Sequence, residues 1–268
     1  MKTSLFNSDK LFLIAGPCAL ESTAIANEVA RVLKDLQDRY ADDLTIVFKS
    51  SFDKANRTCV NGMRGVGLKE GLEILSQIKS DYRLPVITDI HLPEQAAIVS
   101  STCDALQIPA FLCRQTDLLK AAAQTKLPVN VKKGQFLAPM DMKFVVQKLE
   151  AFGATEIWQT ERGTTFGYGN LVVDMRTFPI LKANGHPTLF DATHSLQMPG
   201  IGSEFTHGDC QYAETLAKAA LAAGAQGIYI ETHPNPSEAI SDKQIQTPLA
   251  QLPSFVDHCL SLWKFLNK

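Results

Sequence analysis

The chain has 268 residues, 45% of them hydrophobic and 20% charged, an ordinary globular balance that excludes a disordered or collagen-like protein. With 26 Lys and Arg against 28 Asp and Glu, its formal charge is −2. That leaves no basic footprint for nucleic acid or for an anionic membrane surface. No run approaches the ~20 apolar residues that span a bilayer, and positions 1–13 lack an apolar segment followed by a small-residue cleavage site. The expectation is a cytoplasmic protein that binds neither nucleic acid nor membrane. Its cysteines at 18, 59, 103, 113, 210 and 259 form no C-x-x-C pair and read as reduced thiols.

Along the chain, short apolar, β-branched runs alternate with longer segments of helical period. The strand-like runs are 11–15, 45–48, 85–88, 105–108, 128–131, 156–159, 187–190 and 227–230. Helical patterns occupy 22–40, 68–80, 117–125, 142–152, 212–223 and about 255–266. Strands with little polar alternation, separated by helices, predict a parallel sheet buried on both faces. Eight such units in about 260 residues match a (β/α)8 TIM barrel, in the α/β class. A doubly wound open sheet is the rival, but the first turn, Gly16-Pro17-Cys18, is not its glycine fingerprint. No linker or charge block divides the chain, which reads as one domain over 1–268 with a short N-terminal cap at about 1–10.

In such a barrel, chemistry sits at the C-terminal ends of the strands. Those ends carry Cys18, Lys49, Asp89, Gln107, Lys132, Arg162, His194 and Glu231. A cationic subset, Lys49, Lys54, Arg57, Arg114, Lys132 and Arg162, predicts a positive mouth suited to phosphate and carboxylate groups. The glycine-rich stretch 162–169 offers backbone N–H groups to an anion, although such loops are common. A second subset is Cys18, His194, Glu231 and Asp242. Barrel closure makes the ends of strands one, seven and eight neighbours, so one thiol, one imidazole and two carboxylates converge there. They read equally as ligands for a divalent transition metal or as a buried thiol, a core histidine and two solvated acids. Asp89 and His91 are suited to orienting a hydroxyl or moving a proton, and Asp89 reads equally as a helix cap. His186, His207, His233 and His258 read as loop or surface residues.

Several segments resemble the 3-deoxy-D-manno-octulosonate 8-phosphate synthase family. They are Gly16-Pro17-Cys18-Ala19-Leu20-Glu21-Ser22, Lys54-Ala55-Asn56-Arg57-Thr58, Gln107-Ile108-Pro109-Ala110 with Arg114, Asn130-Val131-Lys132-Lys133, Glu161-Arg162-Gly163, Asp191-Ala192-Thr193-His194 and Glu231-Thr232-His233-Pro234. The likeness runs from about residue 11 to the C-terminus. It implies a (β/α)8 barrel, usually a homotetramer, that condenses phosphoenolpyruvate with D-arabinose 5-phosphate for lipopolysaccharide synthesis. By the same resemblance, Lys54, Lys132, Arg162 and the backbone at Ala110 hold phosphoenolpyruvate, with Lys49, Gln107 and Arg114 close by. Asn56, Arg57 and Thr58 take the sugar phosphate, partly across a subunit boundary. His194, Asp89 and Lys54 are the implied catalytic groups. The related synthases using erythrose 4-phosphate, the alternative reading, carry a Lys-Pro-Arg-Thr-type segment where this chain has Lys54-Ala55-Asn56-Arg57. A non-catalytic barrel that senses sugar phosphates is a second alternative. Cys18 after Gly-Pro, where metal-independent members carry Asn, implies the metal-dependent class, with Cys18, His194, Glu231 and Asp242 holding a divalent Mn, Fe, Co or Zn ion. The segment 203–211 lacks the paired arginines that many metal-independent members carry, so no lid contact is carried over.

Overall fold

The computed structural model describes residues 4–57, 60–165, 168–199 and 207–267. Eight parallel strands form a closed barrel: β1 Leu11–Gly16, β2 Leu44–Lys49, β3 Val86–Asp89, β4 Ala105–Ile108, β5 Val129–Lys132, β6 Ile157–Glu161, β7 Thr188–Asp191 and β8 Gly227–His233. β8 closes on β1 with Gly16 opposite Glu231, and β7 flanks β8 with Asp191 opposite Tyr229. The helices between strands are α1 Thr23–Arg39, α2 Leu68–Tyr82, α3 Pro93–Ser100, α4 Thr116–Gln124, α5 Met142–Ala151, α6 Thr177–Lys182, α7 Ala213–Ala222 and α8 Leu252–Leu266. The expected barrel is present, and the six helical patterns read from the sequence are helices. α3 and α6 are additional, at 8 and 6 residues too short for helical periodicity to stand out.

The uninterrupted apolar runs follow from two cores. In β1, Phe12 and Ile14 point into the barrel while Leu11, Leu13 and Ala15 pack outward against the helical layer. α1 shows why that layer forms. Ser22 caps it by accepting from the Ile25 backbone N–H, and Ala26, Val29, Ala30, Leu33 and Leu36 lie buried along one face. The barrel interior is filled by Phe12, Ile14, Val47, Ile87, Ala105, Trp158, Leu189 and Tyr229. Leu5 and Phe6 pack onto this cluster, and the Phe6 N–H donates to Glu156 Oε1 at 3.0 Å, just ahead of β6. Phe12 stands edge-on to Phe6 and to Trp158, with ring centroids 5.5 and 4.8 Å away. Phe12→Ala is therefore expected to lower unfolding free energy by about 3–5 kcal/mol, read as a lower urea midpoint.

Above the apolar layers the interior turns polar. Thr160 donates to Asn130, and Asn130 donates to Gln107, forming a hydrogen-bonded row across β6, β5 and β4 beneath the mouth. Gly16 lets the end of β1 lie against β2: a Cβ there would stand 1.9 Å from the Lys49 carbonyl oxygen. That close approach seats Cys18 beside Lys49, whose Nζ reaches the Cys18 carbonyl at 3.3 Å.

Candidate active site

A cavity of about 590 Å³ opens at the C-terminal end of the strands. Lys49, Lys54, Arg57, Lys132 and Arg162 line it, against Asp89, Asp191 and Asp242. Asn56, Gln107, Ala110 and His194 share the lining. Lys54, Lys132 and Arg162 thus face one space, and the positive mouth exists on a chain whose overall charge is slightly negative. Thr58 lies outside the described residues. Arg114 is exposed on the turn after β4 and does not line the cavity, because the chain passes through Ala110–Leu112 and turns away before reaching it.

The cations are held by different partners. Lys49 is buried, with its Nζ on Ser51 Oγ at 2.8 Å and on Glu231 Oε1 at 3.3 Å, so it works as an internal counter-charge. Lys54 lies 3.3 Å from the same Ser51 Oγ. Burial works against its charge, but the carboxylates of Glu231, Asp89 and Asp242 raise its pKa, and it stays an ammonium. Lys132 pairs with Asp191 at 2.6 Å and lies over the Tyr229 ring, 2.9 Å from its centroid. Burial pulls the Lys132 pKa down to about 7, and Asp191 offsets only part of that. Arg162 gives Nη2 to Gln197 Oε1 at 2.6 Å, while its Nη1 is buried with no partner among the described residues. Arg162 lines the cationic cavity, and its guanidinium keeps donor capacity that an anion's oxygen can use.

Asp89 is not a helix cap. The cap of α3 is Leu92, and Gln95 Oε1 takes the His91 and Leu92 N–H groups. Asp89 instead accepts from Ser51 and lies 3.0 Å from His91 Nε2. Burial pushes its pKa up, but Lys49, His91 and Lys54 reverse this and hold it well below the usual range. Two donors of the stretch read as an anion loop are spent within the protein. The Gly163 N–H goes to Glu161, the Thr165 N–H goes to Gln135, and Thr164–Thr165 pairs with Leu171–Val172 as a small hairpin. Local pairing consumes these donors. Phe166 and Gly167 lie outside the described residues, as do 203–206 of the segment after β7.

Three of the second subset, Cys18, Glu231 and Asp242, converge, and His194 stands beside them at Glu231. One donor atom each from Cys18, Glu231 and Asp242 lies within 4.8 Å of the others, with Cys18 Sγ 3.1 Å from Asp242 Oδ2. His194 Nε2 stands 3.7 Å from Glu231 Oε2. Its Nδ1 is 2.9 Å from Asp191 Oδ2, and its backbone N–H is bound to Asp191 Oδ1, so a carboxylate fixes the ring with Nε2 toward Glu231. That is how metal-binding histidines are commonly oriented. Glu231 Oε2 is buried with no hydrogen-bond partner among the described residues, while Oε1 accepts from Tyr229 Oη at 2.7 Å. Burial, Glu231 and Asp242 push the Cys18 thiol well up against the opposing pull of Lys54 and Lys49. A thiol, two carboxylates and an oriented imidazole, with one carboxylate oxygen orphaned, fit a divalent transition ion.

A profile of the DAHP synthetase I family matches residues 4–264. The chain belongs to that family. Among its relatives is the 2-dehydro-3-deoxyphosphooctonate aldolase of Nitratidesulfovibrio vulgaris (strain DP4), 51% identical over 252 residues, covering 94% of this chain and 92% of the relative. The protein of the same name from Brucella ovis is 50% identical over 255 residues, covering 95% and 91%.

The barrel of this DAHP synthetase I family member also brings in residues that sequence reasoning gave no role. Asp191 is the largest omission: it accepts from Lys132, from His194 and from the Thr193 N–H, joining the cationic subset to the donor set. Its signal was an Asp two residues before Thr193 at a strand end, a spacing that favours an Asx turn. Ser51, Gln197, Tyr229 and Ser241 line the cavity as well. His233 corrects an expectation. β8 runs two residues past Glu231, so His233 is buried, accepts the Asn235 N–H and faces Glu21 at 3.6 Å.

Proposed function

We propose that the protein condenses phosphoenolpyruvate with D-arabinose 5-phosphate and water, giving 3-deoxy-D-manno-octulosonate 8-phosphate and inorganic phosphate for lipopolysaccharide synthesis. The observation that carries this is the gathering of Lys54, Lys132 and Arg162 around one cavity beside the Cys18 donor set. The names of relatives about 50% identical favour this condensation over the erythrose 4-phosphate reaction and over a non-catalytic sensor.

In this reaction C3 of phosphoenolpyruvate attacks the sugar aldehyde and water adds at C2. One of the water's protons goes to the former aldehyde oxygen, the C2–O bond to phosphate then breaks, and the remaining C2 hydroxyl proton leaves with the phosphate as the C2 ketone forms. Two phosphoesters that repel one another must be held in contact, and fixed cations both offset the repulsion and orient the reacting carbons. Lys54, Lys132 and Arg162 hold the phosphoenolpyruvate, with Lys49 keeping charge balance beneath. Asn56 and Arg57, on the loop after β2, take the sugar phosphate, as the family resemblance implies, with Thr58 beside them in sequence. The Asp89–His91 pair and His194 are placed to orient a sugar hydroxyl or the attacking water. Cys18, His194, Glu231 and Asp242 would hold a divalent ion, which when bound supplies Lewis-acid polarisation of an aldehyde or water oxygen.

The described cysteines, Cys18, Cys103, Cys113, Cys210 and Cys259, are free thiols, which suits a reducing cytoplasm. Among the described residues no helix is long and apolar enough to cross a membrane. Phe111, Phe136, Met140 and Phe144 are exposed on the turns after β4 and β5 and on α5, large apolar side chains available to the homotetramer that the family resemblance implies. The deciding assay follows phosphate release with each sugar. Arabinose 5-phosphate is expected to exceed erythrose 4-phosphate in kcat/KM by at least about tenfold, the discrimination a misfitted sugar costs. Preference for the shorter sugar would reassign the reaction, and binding without release would make the barrel a sensor.

A further inference from the structure

Two neutral side chains in the cavity have no part in the chemistry above, and both touch Asp242. Gln197, on the short hairpin that pairs it with Gly208, accepts from Arg162 Nη2 at 2.6 Å through Oε1. Its Nε2 donates to Asp242 Oδ1 at 3.1 Å. Arginine only donates and an ionised carboxylate only accepts, so a carboxamide, with one end of each kind, satisfies both in a single orientation. Ser241 makes the matching link on the other side. Its Oγ accepts from Arg57 Nη1 at 2.7 Å and donates to Asp242 Oδ2 at 3.0 Å, while Arg57 Nη2 holds the Ile240 carbonyl at 2.7 Å. Asp242 has a left-handed backbone, φ 52°, and its Oδ2 also lies 3.1 Å from Cys18 Sγ. One carboxylate of the donor set is thus suspended between two guanidinium groups, each through one neutral bridge.

We propose that Gln197 is a positioning residue that couples anion binding at Arg162 to the placement of Asp242, so that phosphoenolpyruvate and a divalent cation bind cooperatively. The proposal rests on the substrate and metal reading above and deepens it. Arg162 lines the cavity, its Nη1 has no partner among the described residues, and an anion that binds the guanidinium fixes its plane. That plane fixes Nη2, which fixes the Gln197 amide, which holds Asp242 in place beside Cys18. Linkage makes the effect reciprocal: a cation that orders Asp242 orders Arg162 for the anion by the same factor. Ser241 is the equivalent bridge to Arg57 and does not carry the phosphoenolpyruvate effect.

The test titrates the full chain with Co²⁺, read through the thiolate-to-cobalt absorption band, with and without saturating phosphoenolpyruvate. In the unmodified protein, phosphoenolpyruvate is expected to tighten Co²⁺ roughly fivefold, and Co²⁺ to tighten phosphoenolpyruvate by the same factor in calorimetry. In Gln197→Leu the ratio is expected to fall to about one while Co²⁺ still binds, and in Ser241→Ala the ratio is expected to persist. Thermal melting checks folding. If Gln197→Leu does not fold, Gln197→Glu has the same shape but sets an acceptor against Asp242, and is expected to lose the coupling too. A ratio in the Gln197 variant equal to that of the unmodified protein would overturn the proposal, as would an unmodified protein that binds Co²⁺ with no coupling. Absence of the cobalt band from the unmodified protein is a different failure, removing the metal reading and the coupling with it.

Discussion

Lys132→Ala is expected to lower kcat/KM by roughly 10²- to 10³-fold, the usual cost of removing a preorganised charge aimed at a reacting anion. Lys132 is buried at the end of β5, 2.6 Å from Asp191 and against the face of Tyr229. Burial pulls its pKa down, Asp191 offsets part of that, and an arriving anion favours its charged form further. Most of the loss is therefore expected in phosphoenolpyruvate binding, as a raised KM, with a smaller fall in kcat. Asp191 keeps His194 and the Thr193 N–H after the substitution, so the chain still folds, with a lower melting temperature. Steady-state kinetics with arabinose 5-phosphate held saturating separates the two parameters. Unchanged kinetics would remove Lys132 from the substrate site.

Stripping divalent metal with a chelator is expected to reduce turnover by at least about 100-fold, ~2.7 kcal/mol of barrier, and added Mn²⁺, Co²⁺ or Zn²⁺ to restore it. Cys18→Ala should weaken metal binding by more than about 100-fold, beyond what loss of a supporting hydrogen bond to a ligand costs. Cys18→Asn is the sharper variant: it fills the position with a neutral donor and should weaken the dependence on added metal. The physical reason is the charge around the thiol. Burial, Glu231 and Asp242 keep Cys18 protonated, and a divalent charge at that point lets it ionise. Equilibrium dialysis of both variants reads the affinity directly, and unchanged affinity would exclude Cys18 as a ligand.

Much of this barrel was legible because its strands are buried on both faces and write themselves as apolar runs. The errors at their edges are instructive. Three expected strands began at Pro85, Pro128 and Pro187, whereas the strands begin one residue later. Proline has no N–H for the ladder, although its carbonyl still accepts, as from Phe48, Leu106 and Gln159. The far ends were set short for the opposite reason. Lys49, Asp89, Lys132 and Asp191 keep their backbones in the sheet while sending polar side chains to the mouth, so residue type marks an end before the hydrogen bonds do.

The cationic and donor positions were readable as polar residues at strand ends. Their supports were not. Tyr229 sits inside an apolar run and gives no sign that its hydroxyl reaches Glu231 or that its ring carries Lys132. Gln197 and Ser241 are 44 residues apart and meet only through Asp242. His233 belongs to a strand whose polar end outlasted its apolar signal.

The most direct measurement is a crystal structure of the protein soaked with phosphoenolpyruvate and Mn²⁺. The account predicts phosphoenolpyruvate density within hydrogen-bond reach of Lys54, Lys132 and Arg162, and one ion bonded to Cys18, His194, Glu231 and Asp242. Phosphoenolpyruvate bound away from those cations, or an ion held without the Cys18 sulfur, would contradict it.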